Sequence, residues 1–171
     1  MWYVFQVKTG DEFEVTNIVK DNLLKSGEDA FVPMYKCEKI YHGTVEERLQ
    51  RLFPGYIFID TPDISDMRIR MYMLHSVDLY AKIIKTGDEM APVSESEREM
   101  IENISGPDHI VDMSRGIIEH DKVRIFSGPL ADYTGEIIKI DRHKRLAWVN
   151  LDLKGKTIST KLGLEIIEKI R

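Results

Sequence analysis

Apolar and polar positions change their period several times along the chain, and each change marks an element. Residues 2–7, Trp-Tyr-Val-Phe-Gln-Val, form an aromatic and β-branched run that predicts a strand. Over residues 11–25, Phe13, Val15, Ile18, Val19, Leu23 and Leu24 recur near helical spacing, and Gly27 supplies a stop. Residues 30–41 are strand-like and end at His42-Gly43, a turn pair. Residues 44–51 are polar and charged without an apolar period, which predicts the mobile tip of a long hairpin. Residues 53–59 form the next strand. A helix follows over 63–74, with Ile64, Met67, Met71 and Leu74 on one side, and then a strand over 79–84. Ser94 opens a last helix, and Glu97 stands three residues on, as a capping box requires.

This order is strand, helix, strand, strand, helix, strand, helix. It is the split βαβ arrangement, an antiparallel sheet with its main helices on one face. Residues 105–116 hold Gly106, Pro107, Asp108, Ser114 and Gly116 with no period, and read as a linker. Five short strands then follow, punctuated by Gly128, Gly135, Gly155 and Gly163, which predicts a small β-barrel. The fold class is therefore α+β, with an amino-terminal domain over 1–104, a linker over 105–118 and a five-stranded barrel over 119–171.

Charge sharpens this division. The 171 residues carry a formal net charge of -5, yet from Ile117 onward 11 Lys and Arg face 8 Asp and Glu. An acidic first part and a basic last part suggest separate partners. One cysteine, Cys37, leaves no internal disulfide framework. There is no signal-like opening and no apolar run near the roughly 20 residues of a membrane span. A soluble, cytoplasmic monomer without membrane contact is expected.

Two surfaces carry candidate function. On the amino-terminal sheet, Tyr56 and Phe58 share one parity of their strand and Ile57 and Ile59 the other. With the helices on one face, the opposite face would present aromatic side chains to a partner. The second surface is cationic. Ala147, Val149, Leu151 and Leu153 share the inward parity, which turns Trp148 outward beside Lys139, Arg142, His143, Lys144 and Arg145, with Lys154, Lys156 and Lys161 extending the field. Cations contact phosphates and an exposed ring can stack on a base, so RNA loops and bulges are fitting ligands. A merely solvated hairpin tip, with Trp148 packed beneath the linker, is the competing reading.

Catalytic and metal-site patterns are missing from the sequence. The five histidines are scattered, no Cys/His cluster has zinc spacing, and neither a Walker loop nor Gly-x-Gly-x-x-Gly occurs. No enzyme, cofactor or metal is expected.

Trp2-Tyr3-Val4 with Lys8-Thr9-Gly10, and Leu52-Phe53-Pro54-Gly55-Tyr56-Ile57-Phe58, resemble the two signatures of the NGN domain of NusG-type transcription elongation factors. Residues 121–141, with Gly128-Pro129 and Gly135, resemble the KOW motif of the same family, and Ile166-Ile167-Glu168-Lys169 its closing strand. The resemblance implies a ferredoxin-like NGN domain (βαββαβ) followed by a KOW barrel. It implies contact of Phe53, Pro54, Tyr56, Phe58 and Trp2 with the clamp helices of RNA polymerase, and of Lys8 with non-template DNA. Leu130 stands where housekeeping members have phenylalanine, residues 158–162 lack their Pro and Glu, and Trp148 replaces a smaller or charged residue. These departures are similar to the LoaP antiterminators, whose KOW domain recognises a hairpin in the nascent RNA. A housekeeping elongation factor whose barrel binds protein, and a general KOW-type RNA-binding protein, remain open alternatives.

Overall fold

The computed structural model describes residues 1–73, 83–84 and 91–171. In chain order the elements are β1 (Trp2–Val7), α1 (Glu12–Asn22), β2 (Asp29–Phe31), β3 (Met34–Tyr41), β4 (Thr44–Arg51), β5 (Tyr56–Asp60), α2 (Ile64–Met73) and β6 (Ile83–Ile84). They continue with α3 (Glu95–Ser105), β7 (Ile110–Val111), β8 (Ser114–Glu119), β9 (Lys122–Ser127), β10 (Ile137–Asp141), β11 (Leu146–Leu153) and β12 (Lys156–Ile170). Two compact units result: Met1–Val32 with Phe53–Arg98, and Pro33–Leu52 with Glu99–Arg171. The expected strand over 79–84 falls mostly outside the described residues, and only Ile83–Ile84 is seen.

The first unit is built on a sheet of order β2-β5-β1-β6, antiparallel throughout. Register and pleat decide which side chains share a face. Trp2, Val4 and Gln6 lie opposite Asp60, Phe58 and Tyr56, while Tyr3 and Phe5 lie opposite Ile59 and Ile57. α1 packs along β2 and β5 and buries Val15 and Val19, and α2 buries Met67 and Met71. The capping box forms at the start of α3: Ser94 N–H donates to Glu97 Oε2 at 3.0 Å, and Glu97 N–H to Ser94 Oγ at 3.3 Å.

The run over 30–41 is two strands rather than one. Pro33 separates them, because it has no N–H to give a ladder. β2 pairs with β5, whereas β3 pairs with β4 and β7. Residues 44–51 are not a loose tip. β4 is laddered to β3 along its length, from Met34↔Arg51 to Tyr41↔Thr44. His42 and Gly43 both have positive φ, +47° and +79°, as a type I′ hairpin turn demands. The strand showed no alternation because seven of its eight residues are exposed, on both faces.

The second unit joins this hairpin with the carboxy-terminal strands. Residues 105–118, expected as a linker, contain β7 and all but the last residue of β8. β7 runs parallel to β3, and β8 parallel to β12. Gly116 weakened the strand signal, yet the fold needs it, since a Cβ there would sit 2.9 Å from the Arg124 carbonyl oxygen. The five carboxy-terminal strands form one sheet of order β10-β11-β12-β8-β9. Among the described residues no ladder joins its two edge strands, β9 and β10. β12 serves two neighbours, pairing β11 through Gly163 and β8 from Leu164 onward. At Gly163 a Cβ would collide with the Lys36 carbonyl oxygen, so β12 can pass this close to β3 only without a side chain.

The inward parity of β11 is as expected, with Ala147, Val149, Leu151 and Leu153 all buried together with Leu162 and Leu164. The edges are more open. Val123 and Ile138 are exposed, while Leu130 is buried and its N–H donates to Ser114 Oγ at 2.9 Å. No described helix is long and apolar enough to cross a membrane.

Candidate functional site

Cross-strand register assembles the cationic surface. Trp148 on β11 lies opposite Lys139 on β10 and Lys161 on β12. The Lys139 Nζ stands 5.1 Å, and the Lys161 Nζ 5.6 Å, from the centre of the Trp148 ring. Both lysines are exposed and Trp148 is half-buried. One aromatic ring is thus flanked by two ammonium groups that reach it from the two adjacent strands. The same outward parity places Asn150 opposite Ser159 and Asp152 opposite Thr157. Thr157 Oγ1 donates to Asp152 Oδ1 at 2.8 Å, which fixes that carboxylate at the end of the face.

The β10–β11 turn supplies further charge at one end. Asp141 Oδ1 accepts the Lys144 N–H at 2.9 Å. That hydrogen bond, more than any charge nearby, holds the Asp141 carboxyl below the ordinary range. Arg142, His143 and Lys144 are exposed around this turn. Arg145, expected on the same rim, is committed elsewhere. Its Nη1 pairs with Glu38 Oε2 on β3 and lies 3.3 Å from Glu165 Oε1 on β12, and its side chain is only 21% exposed. Lys154 and Lys156 sit at the opposite end of β11, at the Lys154-Gly155 turn, about 23 Å along the strand from Leu146. The structure therefore brings Lys139, Trp148 and Lys161 together beside Arg142, His143 and Lys144. It separates Lys154 and Lys156 from them and takes Arg145 into an ion pair.

On the first unit the aromatic residues pack on one another. Trp2 meets Phe31 edge-on at 5.0 Å, Phe31 stacks on Phe58 at 5.4 Å, and Phe53 lies 5.7 Å from Phe58. Trp2, Phe53 and Phe58 are buried, and the Arg98 guanidinium of α3 covers the Trp2 ring at 5.1 Å. The expected open aromatic face is closed at these three positions. Of the five residues singled out there, Pro54 is exposed and Tyr56 half-buried. Lys8, also exposed, lies near them, because Val7 N–H donates to the Gly55 carbonyl at 2.8 Å.

One residue organises that corner, and the sequence pattern did not single it out. Glu12 is fully buried. Its Oε2 accepts the Gly10 N–H and its Oε1 the Gly55 N–H, both at 2.7 Å. The carboxylate ties the Lys8-Thr9-Gly10 turn to the Phe53-Pro54-Gly55-Tyr56 turn. The signal that could have found it is an acid at the first position of a helix, two residues after a Thr-Gly turn, where backbone N–H groups point outward. Glu38 and Glu165, the partners of Arg145, carried no signal, because only the fold brings them together. Among the described residues no three His, Cys, Asp or Glu side chains gather into a metal site.

Residues 1–102, which include both of these turns, match the family model described as transcription termination factor nusG. The chain belongs to the NusG family. It is similar to the transcription termination/antitermination protein NusG of Pasteurella multocida, 26% identical over 179 residues that cover 98% of this chain and 94% of that one. It is equally similar to NusG of Escherichia coli K12, 26% identical over 175 residues covering 98% and 95%. A solved structure described as "Domain interaction in Thermotoga maritima NusG" aligns with 95% of this chain and 92% of its own, at a TM-score of 0.49 and 19% identity. Within this NusG-family chain the matched model takes in Glu12, Lys8, Pro54 and Tyr56. The Lys139–Trp148–Lys161 row lies beyond residue 102, within the span aligned to the full-length relatives.

Proposed function

We propose that this NusG-family protein is a transcription elongation and processive antitermination factor. Its amino-terminal domain, residues 1–104, engages the clamp helices of RNA polymerase. Its carboxy-terminal domain, residues 119–171 with β8 completing its sheet, binds a structured nascent RNA. The observation that carries the RNA role is the Lys139–Trp148–Lys161 row, which puts an aromatic ring between two cations in a chain that is acidic overall. Cations that hold phosphates and a ring that can meet a base are what an RNA surface needs. Arg142, His143 and Lys144 extend the cationic field beside it.

For the polymerase contact the support is the corner held by Glu12, where Pro54 and Tyr56 reach the surface. Phe53, next to Pro54, is buried, Trp2 and Phe58 are buried farther along the sheet, and Lys8 is assigned to non-template DNA. A second reading has the carboxy-terminal strands bind protein. Exposed Val123, Phe126 and Ile138 on the edge strands favour it.

Two double variants of the full chain separate the roles. Pro54→Asp with Tyr56→Ser should lose terminator readthrough with purified polymerase and keep RNA affinity. Phe58→Ser is no substitute, because opening a fully buried phenylalanine site costs about 3–5 kcal/mol of stability. Arg142→Glu with Lys144→Glu should weaken RNA binding and flatten its salt dependence by roughly 0.7–0.9 in log–log slope for each phosphate no longer neutralised. Retained readthrough in the first variant would remove the polymerase contact from this corner. Unchanged affinity and slope in the second would favour the protein-binding reading.

A further inference from the structure

We infer that the Lys139–Trp148–Lys161 row is a site for one unpaired nucleotide of an RNA loop or bulge, with the Asn150–Ser159 row at the edge of its base. This rests on the RNA-binding reading above and narrows it to a ligand class and to named contacts.

The magnitudes favour a base on the ring over the lysines alone. A cation over a solvent-facing ring is worth about 0.5–1 kcal/mol. A base stacked on an aromatic side chain is worth about 1–3 kcal/mol. A base can therefore displace either ammonium from the Trp148 face. The displaced lysine does not lose its role, since a nucleotide brings its phosphate with it, and Lys139 and Lys161 stand on the strands to either side. The resting arrangement keeps the ring covered and places both cations where a backbone arriving with the base would need them.

The adjacent row adds polar reach. Asn150 and Ser159 share the outward parity of Trp148 and Lys161 and lie one strand repeat away, about 6.7 Å. An amide and a hydroxyl at that distance can meet the edge of a base that lies on the ring. Tyr133 steadies the position, its hydroxyl donating to the Asn150 carbonyl at 2.8 Å. One row further, the exposed Asp152 repels phosphate, so the strand leaves toward Arg142, His143 and Lys144.

A paired helix cannot use this site. In A-form RNA the bases are stacked inside and the ring finds none to meet, so a duplex gains from the lysines only. An unpaired nucleotide gains from both, which makes Trp148 the discriminating contact and the lysines the general one.

The test compares three probes against the full chain: a pool of RNA hairpins with randomised loops, a blunt RNA duplex of matched length, and the same hairpin pool in DNA. The parent should prefer looped RNA to duplex RNA by about 5- to 150-fold, the range that one stacked base supplies. Trp148→Leu should erase that preference and retain the duplex affinity, and Trp148→Phe should keep most of it. Lys161→Gln should weaken both RNA probes alike. Equal binding of loop and duplex by the parent, or an unaltered preference in a folded Trp148→Leu variant, overturns the unpaired-base site and leaves the RNA-binding reading standing. DNA loops bound as tightly as RNA loops would overturn the assignment to RNA. Binding of no probe, even at low salt, would sink this inference and the RNA-binding reading together.

Discussion

The buried carboxylate of Glu12 accepts the N–H of Gly55 at 2.7 Å, across 43 residues of chain. Its second oxygen holds Gly10 at the same distance. The two turns carrying Lys8 and Pro54-Gly55-Tyr56 are thereby fixed to the start of α1. Glu12→Ala would leave two amide donors without this acceptor inside the protein. We expect a loss of about 3 kcal/mol in denaturant unfolding of the full chain. A loss below about 0.5 kcal/mol would show that the turns hold their shape without the carboxylate.

Arg70 grips Glu28 with both terminal nitrogens, at 2.8 and 2.7 Å. This hydrogen bonding, the largest influence, brings the Glu28 carboxyl from 4.5 down to about 2, against the opposing effect of burial and with help from the Lys25 amide and Thr61 hydroxyl. A carboxyl whose folded pKa is depressed adds stability that is present above 4.5 and is lost as the pH falls toward 2. Arg70→Met should remove that contribution. The gap in unfolding midpoint between parent and variant should be widest at neutral pH and narrow through this acid window. A gap that stays constant down to pH ~2 would refute the assignment.

Arg145 stands between Glu38 and Glu165 and joins β3 to the β12 side of the carboxy-terminal sheet. Arg145→Met leaves the partly buried Glu38 without this cation and Glu165 with Arg115, 3.4 Å away, in its place, at a cost of about 1–3 kcal/mol. Adding Glu38→Gln should recover part of the loss, because it removes one of the repelling charges. If the double variant is no more stable than Arg145→Met alone, the ion pair is incidental. RNA affinity should fall less in Arg145→Met than in Arg142→Gln or Lys144→Gln, because only the latter two side chains lie exposed at the turn.

Where a single face met the core, the sequence was legible. The alternation of residues 147–153 placed Trp148 outward and the aliphatic residues inward, and the Ser94–Glu97 pair marked the start of α3. Legibility failed where a strand had no buried face, as in β4, or where a glycine served packing, as at Gly116 in β8. It failed again where a polar residue worked inside, as with Glu12, since one carboxylate looks alike in sequence whether water or two amides surround it.

Periodicity, caps and turn residues are local properties, so the chain by itself determined an α+β protein, most of its elements, and an outward Trp148 among cations. Contacts between distant residues depend on register and packing, which only the tertiary structure decides. It placed Lys139 and Lys161 on the strands flanking Trp148, within reach of its ring, and withdrew Arg145 into an ion pair with Glu38. It also buried Trp2, Phe53 and Phe58, leaving Pro54 and Tyr56 to reach the surface. An aromatic run in the sequence does not say what will cover it, because cover comes from elements elsewhere in the chain.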